Sequence, residues 1–156
     1  MTALRPFGFT GFRKCFPAML LLAVGFMTKT QEIPLTVIGN VTGVPSAMKY
    51  SELISVLKGQ KQRWNDGTKV NIYIMKTTTP IGQNTCKKIY NWSGDKVKRY
   101  WLELSFSGKA DAPIFCNTVE ELESYVSQNP GAIGIIDRNA TSNGVKTILI
   151  DGKNPF

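Results

Sequence analysis

The chain has 156 residues, of which 42% are hydrophobic and 19% are charged, a composition typical of a single globular domain. It contains no histidine, which excludes histidine-based acid-base catalysis, Ser-His-Asp and Cys-His nucleophiles, and metal sites that need imidazole. Its formal net charge of +8 by itself favours nucleic acid or another acidic surface as a partner.

The first 30 residues have the pattern of a secretory signal peptide. Three cations and no acid precede an uncharged stretch from Phe16 to Met27, and a basic start followed by about 7–15 apolar residues marks such a leader. The stretch is short for a transmembrane helix, which needs about 20 apolar residues. We expect residues 1–30 to be cleaved between about residues 25 and 31, and residues 31–156 to form one periplasmic domain. A buried N-terminal helix or an uncleaved anchor is the alternative.

Cleavage of this leader would halve the net charge. Four of the 19 cations and none of the 11 acids lie in residues 1–30, which leaves 15 cations against 11 acids, or +4. A charge this modest no longer favours nucleic acid as the partner.

Two cysteines, Cys86 and Cys116, lie beyond the predicted leader. Their spacing leaves open a disulfide, which an oxidising compartment permits. We predict that they are instead two small buried side chains.

Strand and helix patterns alternate along the rest of the chain. Runs of β-branched residues predict strands, and apolar residues at helical spacing between capping residues and glycines predict helices. The predicted strands cover residues 33–40, 69–75, 132–137 and 145–150, and the predicted helices cover residues 50–57, 85–91, 93–106 and 118–128. This alternation favours an α/β fold with a sheet flanked by helices.

The longest predicted helix carries an apolar stripe with the spacing i, i+3, i+4 and i+7. The stripe consists of Val97, Tyr100, Trp101 and Leu104. Aromatic residues at this spacing are typical of a helix face that packs on the core. We therefore expect the neighbouring cations, Lys96, Lys98 and Arg99, to form a solvated face rather than a nucleic-acid surface.

Four short motifs follow one another in an order that resembles a known family. They are SELISVLKG with WNDG (51–67), YWLELSFSG (100–108), NPGAIGI (129–135) and VKTILIDGK (145–153). Together they resemble the second lobe of the phosphate-binding component of phosphate ABC transporters, a type 2 periplasmic-binding-protein-like domain. The resemblance implies an exported, single-lobe α/β domain that binds a solute. Because the chain also lacks histidine and has no carboxylate pair at a spacing for acid-base work, we predict that it is not an enzyme and needs no cofactor.

The same resemblance implies an anion site. Full receptors of this family carry an R-x-x-x-S-G-T loop before a helix whose N-terminus faces the phosphate. Aligned on this chain, Ser-Gly-Thr falls on Gln83, Asn84 and Thr85, the arginine falls near Thr79, and Lys76 is the nearest cation. The resemblance therefore implies Lys76, Thr79, Gln83, Asn84 and Thr85 as anion-binding residues, in a degraded form of the motif.

Physical chemistry supports a weak site at this loop. Free backbone N–H groups and the positive end of the dipole favour an anion at a helix start. The loop offers no arginine for bidentate contact and no Asp or Glu to accept a phosphate proton, so we expect weak binding at best. The alternative is an ordinary solvated helix start with Asn84 as the N-cap.

Two functions from different classes follow from these patterns. The first is binding of a phosphate-like anion in connection with a membrane transporter. The second is a periplasmic accessory protein that binds a membrane sensor, and exposed Trp64 or an exposed pair Tyr90 and Trp92 would favour it, because aromatic residues anchor interfaces. A cytosolic nucleic-acid binder would require residues 1–30 to be retained. No catalytic residues and no metal site are predicted.

Overall fold

A six-stranded sheet carries the fold of residues 33–156, the part of the chain that the computed structural model describes. The strands are β1 (Thr36–Asn40), β2 (Ala47–Met48), β3 (Asn71–Met75), β4 (Ile114–Cys116), β5 (Ala132–Ile136) and β6 (Val145–Ile150). Across the sheet they lie in the order β2-β6-β1-β5-β3-β4. The signal peptide predicted for residues 1–30 lies outside the described residues.

Helical segments flank this sheet and confirm the predicted α/β class. They are α1 (Tyr50–Leu57), α2 (Pro80–Thr85), a π-helical segment (Cys86–Tyr90) that continues α2, α3 (Gly94–Phe106) and α4 (Val119–Gln128). Helix α4 begins where its capping residue predicts, since Thr118 Oγ1 accepts a hydrogen bond from Glu121 N at 3.1 Å. None of the helices in the described part of the chain is both long and apolar enough to cross a membrane.

The sheet is mixed, and three neighbouring strands in it run parallel to one another. Strand β3 pairs in parallel with both β4 and β5, whereas β1 pairs antiparallel with β5 and β6. The C-terminal ends of β3, β4 and β5 therefore lie at the same edge. Helix α4 packs against β1, β3 and β5, where its Leu122 and Val126 are fully buried.

Two strands were not predicted, and they are the two outermost strands of the sheet. Strand β2 falls between the predicted strand at residues 33–40 and the predicted helix at residues 50–57, and β4 falls between the predicted helices at residues 93–106 and 118–128. They contain only two and three residues, too few for the alternation of side chains that identifies a strand in a sequence. Their pairing with β6 and β3 comes from the tertiary fold.

The aromatic stripe of α3 divides into a buried and a half-buried part. Val97 and Trp101 are 0% and 1% exposed, which confirms their prediction as core, while Tyr100 and Leu104 are half-buried at its margin. Trp101 Nε1 donates to Tyr90 Oη at 3.1 Å, and Tyr90 Oη donates to the carbonyl of Leu57. This relay joins α3, the π-helical segment and α1.

The two cysteines of residues 33–156, Cys86 and Cys116, are buried free thiols, as predicted. Burial raises the pKa of Cys116 to about 11 and also raises the pKa of Cys86. The thiolate is the nucleophilic form of cysteine, so neither side chain is poised for chemistry near neutral pH.

Candidate functional site

The loop between β3 and α2 leaves the sheet at the edge where α/β folds place ligands, the C-terminal end of parallel strands. Lys76 directly follows β3 and exposes its side chain. Its backbone N–H donates to the carbonyl of Cys116 at 2.9 Å, so the C-terminal ends of β3 and β4 lie side by side. The predicted anion loop therefore lies at this edge of the sheet.

Helix α2 begins at Pro80, so the predicted helix start at Thr85 is wrong. Thr79 is the N-cap, and its Oγ1 accepts from Gly82 N at 3.1 Å. Pro80 occupies the first turn, where its missing N–H costs nothing. Asn84, which the alternative interpretation made the N-cap, lies inside the helix because a threonine followed by proline is the stronger start.

The first turn of α2 packs directly on the exit of β3. A Cβ atom on Gly82 would lie 2.0 Å from the carbonyl oxygen of Lys76. That carbonyl also accepts from Thr79 N at 2.9 Å and from Thr79 Oγ1 at 2.8 Å. Because Gly82 N is capped and Pro80 has no N–H, two positions of the first turn offer no free donor to a ligand.

The other predicted residues do not converge on this loop. Gln83 is exposed in α2, and Asn84 is half-buried with its Nδ2 donating to the carbonyl of Ile33. Thr85 is 1% exposed, and its Oγ1 has no hydrogen-bond partner in the described part of the chain. The structure thus brings Lys76 and Thr79 together, directs Asn84 toward the segment before β1 and buries Thr85 in the core.

A carboxylate that the sequence did not point to lies near this loop. Glu121, in the first turn of α4, accepts from the backbone N–H of Asn117 at 2.7 Å. That hydrogen bond and a second from the Asn117 side chain hold the pKa of Glu121 below its usual value, and the charge of Lys76 contributes to the same effect. Glu121 therefore offsets part of the positive potential that Lys76 gives to the loop.

Arg138, at the exit of β5, is engaged by acids. Its Nη2 lies 3.0 Å from Glu120 Oε1 and 3.9 Å from Glu123 Oε2. Glu123 is 2% exposed, and its carboxylate also accepts from Thr141 Oγ1 at 2.9 Å and Ser142 Oγ at 3.0 Å. This network ties the loop after β5 to α4 and partly neutralises the charge of Arg138.

A second concave surface lies beside α3, and we call it the aromatic groove. It encloses about 440 Å³ and is lined by Trp92, Lys96, Arg99, Tyr100 and Glu103. Trp64 and Tyr90 are 4% and 2% exposed, so of the three aromatic residues whose exposure would favour an accessory protein, Trp92 alone is half-exposed. Within residues 33–156, no three Cys, Asp or Glu side chains are grouped closely enough to hold a metal ion.

Comparison with solved structures relates this architecture to a class of receptors. The chain matches an ABC-type phosphate transport receptor from Vibrio cholerae with a TM-score of 0.54 and 16% identity, over 79% of this chain and 48% of that chain. It matches PstS from Borrelia burgdorferi with a TM-score of 0.56 and 16% identity, over 79% of this chain and 49% of that chain. The chain has the fold of one lobe of these phosphate receptors.

This single-lobe domain spans about half the length of the receptors it matches. Neither a protein-family model nor a curated protein matches the sequence, and an identity of 16% establishes the fold of the lobe without assigning its ligand. In the lobe, the edge that carries the predicted anion loop presents Lys76, a capped helix start and Glu121. An anion bound there would meet one cation and few free backbone donors.

Proposed function

We propose that this chain is an exported, non-enzymatic solute-binding-type domain, and that a small oxyanion such as phosphate binds weakly at the loop between β3 and α2. The position of Lys76 and Thr79 at the exit of β3, in a fold shared with phosphate receptors, carries this proposal. Lys76 supplies charge, and the aligned peptides of α2 and its π-helical continuation supply a positive dipole end. A transporter in the membrane is the corresponding partner.

The same geometry limits the affinity of this site. It offers no arginine fork, and Glu121 competes with an anion for the charge of Lys76. We expect a dissociation constant in the millimolar range, which corresponds to about 4 kcal/mol of binding free energy.

Titration with inorganic phosphate tests the anion proposal. We expect millimolar phosphate to give a saturable heat or shifts of backbone resonances in residues 76–83. Lys76→Gln should weaken binding about fivefold or more, because it removes the one cation of the loop. Lys109→Gln is the matched control, since Lys109 is an exposed cation in the loop after α3. Absence of saturation, or equal weakening by the two variants, would remove the anion site.

The export part of the proposal has its own test. Mass spectrometry of the protein recovered from the cell envelope should find a chain that lacks about its first 25–30 residues, because a signal peptidase removes the leader. A mass that matches the intact sequence would contradict export by cleavage.

A second candidate function is a periplasmic accessory protein that binds a membrane sensor. The half-exposed Trp92 in the aromatic groove favours it, because accessible aromatic side chains anchor protein interfaces. This function needs the surface of α3 and not the anion loop. A domain that binds no phosphate but forms a specific cross-link from α3 to a membrane protein would fit this candidate.

A further inference from the structure

We infer that the aromatic groove binds an acidic, extended segment of a partner protein. This inference supplies a surface and a chemistry for the accessory function and rests on it. No residue of the loop between β3 and α2 takes part. A rigid aromatic floor, unpaired cations around it and the size of the groove favour such a ligand.

Packing and hydrogen bonds hold the floor of the groove in place. The ring of Trp92 lies edge-on to Tyr100 with centroids 5.2 Å apart and stacks on the buried Tyr90 at 6.1 Å. Tyr100 Oη donates to the carbonyl of Lys58 at 2.7 Å, which ties the second ring to the end of α1. Fixed rings lose little conformational freedom when a partner binds, so the surface is organised in advance.

Two lysine ammonium groups lie over the ring of Trp92, and a third cation lines the same groove. Lys96 Nζ lies 4.6 Å and Lys58 Nζ 5.5 Å from the centroid of the ring, and Arg99 lines the same groove. Within residues 33–156, none of these three cations forms an ion pair. Lys98, on the same helix, does form one, since its Nζ lies 3.6 Å from Asp95. The groove therefore gathers the unpaired positive charge of α3.

The composition of the groove favours an acidic peptide over nucleic acid. Three cations face one acid, Glu103, so carboxylates complement the groove, while Trp92 and Tyr100 offer aromatic faces to apolar side chains between them. The volume of about 440 Å³ is that of a cleft for a few side chains. A nucleic-acid site needs a longer basic track along the backbone, and Glu103 interrupts this one.

A synthetic peptide of alternating glutamate and phenylalanine is the probe, and the fluorescence of the full chain is the measurement. Trp64 and Trp101 are 4% and 1% exposed, so Trp92 is the accessible tryptophan of residues 33–156, and binding should protect it from iodide quenching. The double variant Lys96→Gln/Arg99→Gln should weaken binding about tenfold, since each exposed charge pair contributes a factor of about two to five. The matched double variant Lys98→Gln/Lys109→Gln removes the same charge outside the groove and should bind as the parent does.

Several results would overturn the inference. If the two double variants weakened binding equally, net charge and not the groove would account for the binding. If a peptide with glutamine in place of glutamate bound equally well, acidic side chains would not be required. Tighter binding of a single-stranded oligonucleotide or of vesicles containing an anionic lipid would replace the peptide as ligand. A photo-cross-link to a membrane sensor from a photoreactive residue at the exposed position of Phe106, without any peptide binding, would refute the groove as the binding site and leave the accessory function standing.

Discussion

Replacement of Gly131 by alanine is expected to lower the free energy of unfolding by about 2–5 kcal/mol. Gly131 has a φ of +74°, a conformation that costs an L-residue about 1–2 kcal/mol. A Cβ atom there would also lie 2.2 Å from the carbonyl oxygen of Lys69, and overpacking against a fixed backbone costs about 1–3 kcal/mol more. Urea denaturation followed by circular dichroism measures the change.

Gly131 has this large expected effect because it joins three segments. Its N–H donates to the carbonyl of Thr42 at 2.9 Å, and its own carbonyl accepts from Trp64 Nε1 at 2.8 Å and from Asn71 N at 3.3 Å. A displaced Gly131 would therefore weaken both the hydrogen bond at the start of β3 and the hydrogen bond that holds the buried Trp64.

Gly108→Ala is the matched control for this variant. Gly108 also has a positive φ, +66°, but a Cβ atom there would have no neighbour within 4 Å. Its variant should lose only the cost of the left-handed conformation, about 1–2 kcal/mol. If Gly131→Ala lost no more stability than Gly108→Ala, the close approach to Lys69 would have no energetic weight.

Trp101→Ala is expected to lower the free energy of unfolding by about 3–5 kcal/mol, the usual cost of deleting a large aromatic side chain from a core. Trp101 is 1% exposed, and its ring would contact a Cβ atom on Gly59 at 2.9 Å, so the residues after α1 pack tightly on it. Deletion would leave a cavity and remove the donor to Tyr90 Oη. The measurement is again a urea titration, with unchanged m-value as evidence that the fold persists.

Two further variants separate packing from the relay of hydrogen bonds. Tyr90→Phe keeps the volume and removes the hydroxyl, which leaves Trp101 Nε1 and the carbonyl of Leu57 without their partner; we expect a loss of about 1–3 kcal/mol. Leu102→Ala on the outer face of α3, where Leu102 is 56% exposed, should change stability by less than about 0.5 kcal/mol. A similar loss for Leu102→Ala and Trp101→Ala would contradict this account of the core.

Periodicity in the sequence predicts most of the fold. The helices α1, α3 and α4 are long enough to show apolar spacing, and Thr118 marks the start of α4 as a capping residue should. The predicted helix at residues 85–91 begins five residues too late, because Thr79 and Pro80, the local pair that begins α2, also fit a polar loop. A threonine followed by proline is the local signal that marks this boundary.

The candidate site is harder to predict because it depends on contacts between distant segments. Glu121 comes to the anion loop only through the packing of α4 beside β4, and no spacing in the sequence encodes that distance. Trp92 and Tyr100 are half-buried although they lie beside fully buried Tyr90 and Trp101, since their position relative to α1 decides their exposure. The role of Lys76, Thr79, Gln83, Asn84 and Thr85 in anion binding stays a prediction.

The central position of β1 has a consequence for the order in which the molecule assembles. This strand follows the segment predicted as a leader, yet it pairs with β5 on one side and β6 on the other. Its partners, such as Ile148 for Val37, come from near the opposite end of the described chain. Loop-closure entropy must be overcome before such distant pairs form, which slows folding. The middle of the sheet therefore closes only after β6 has been synthesised, so a chain that has emerged only as far as β5 still lacks one of the two neighbours of its central strand.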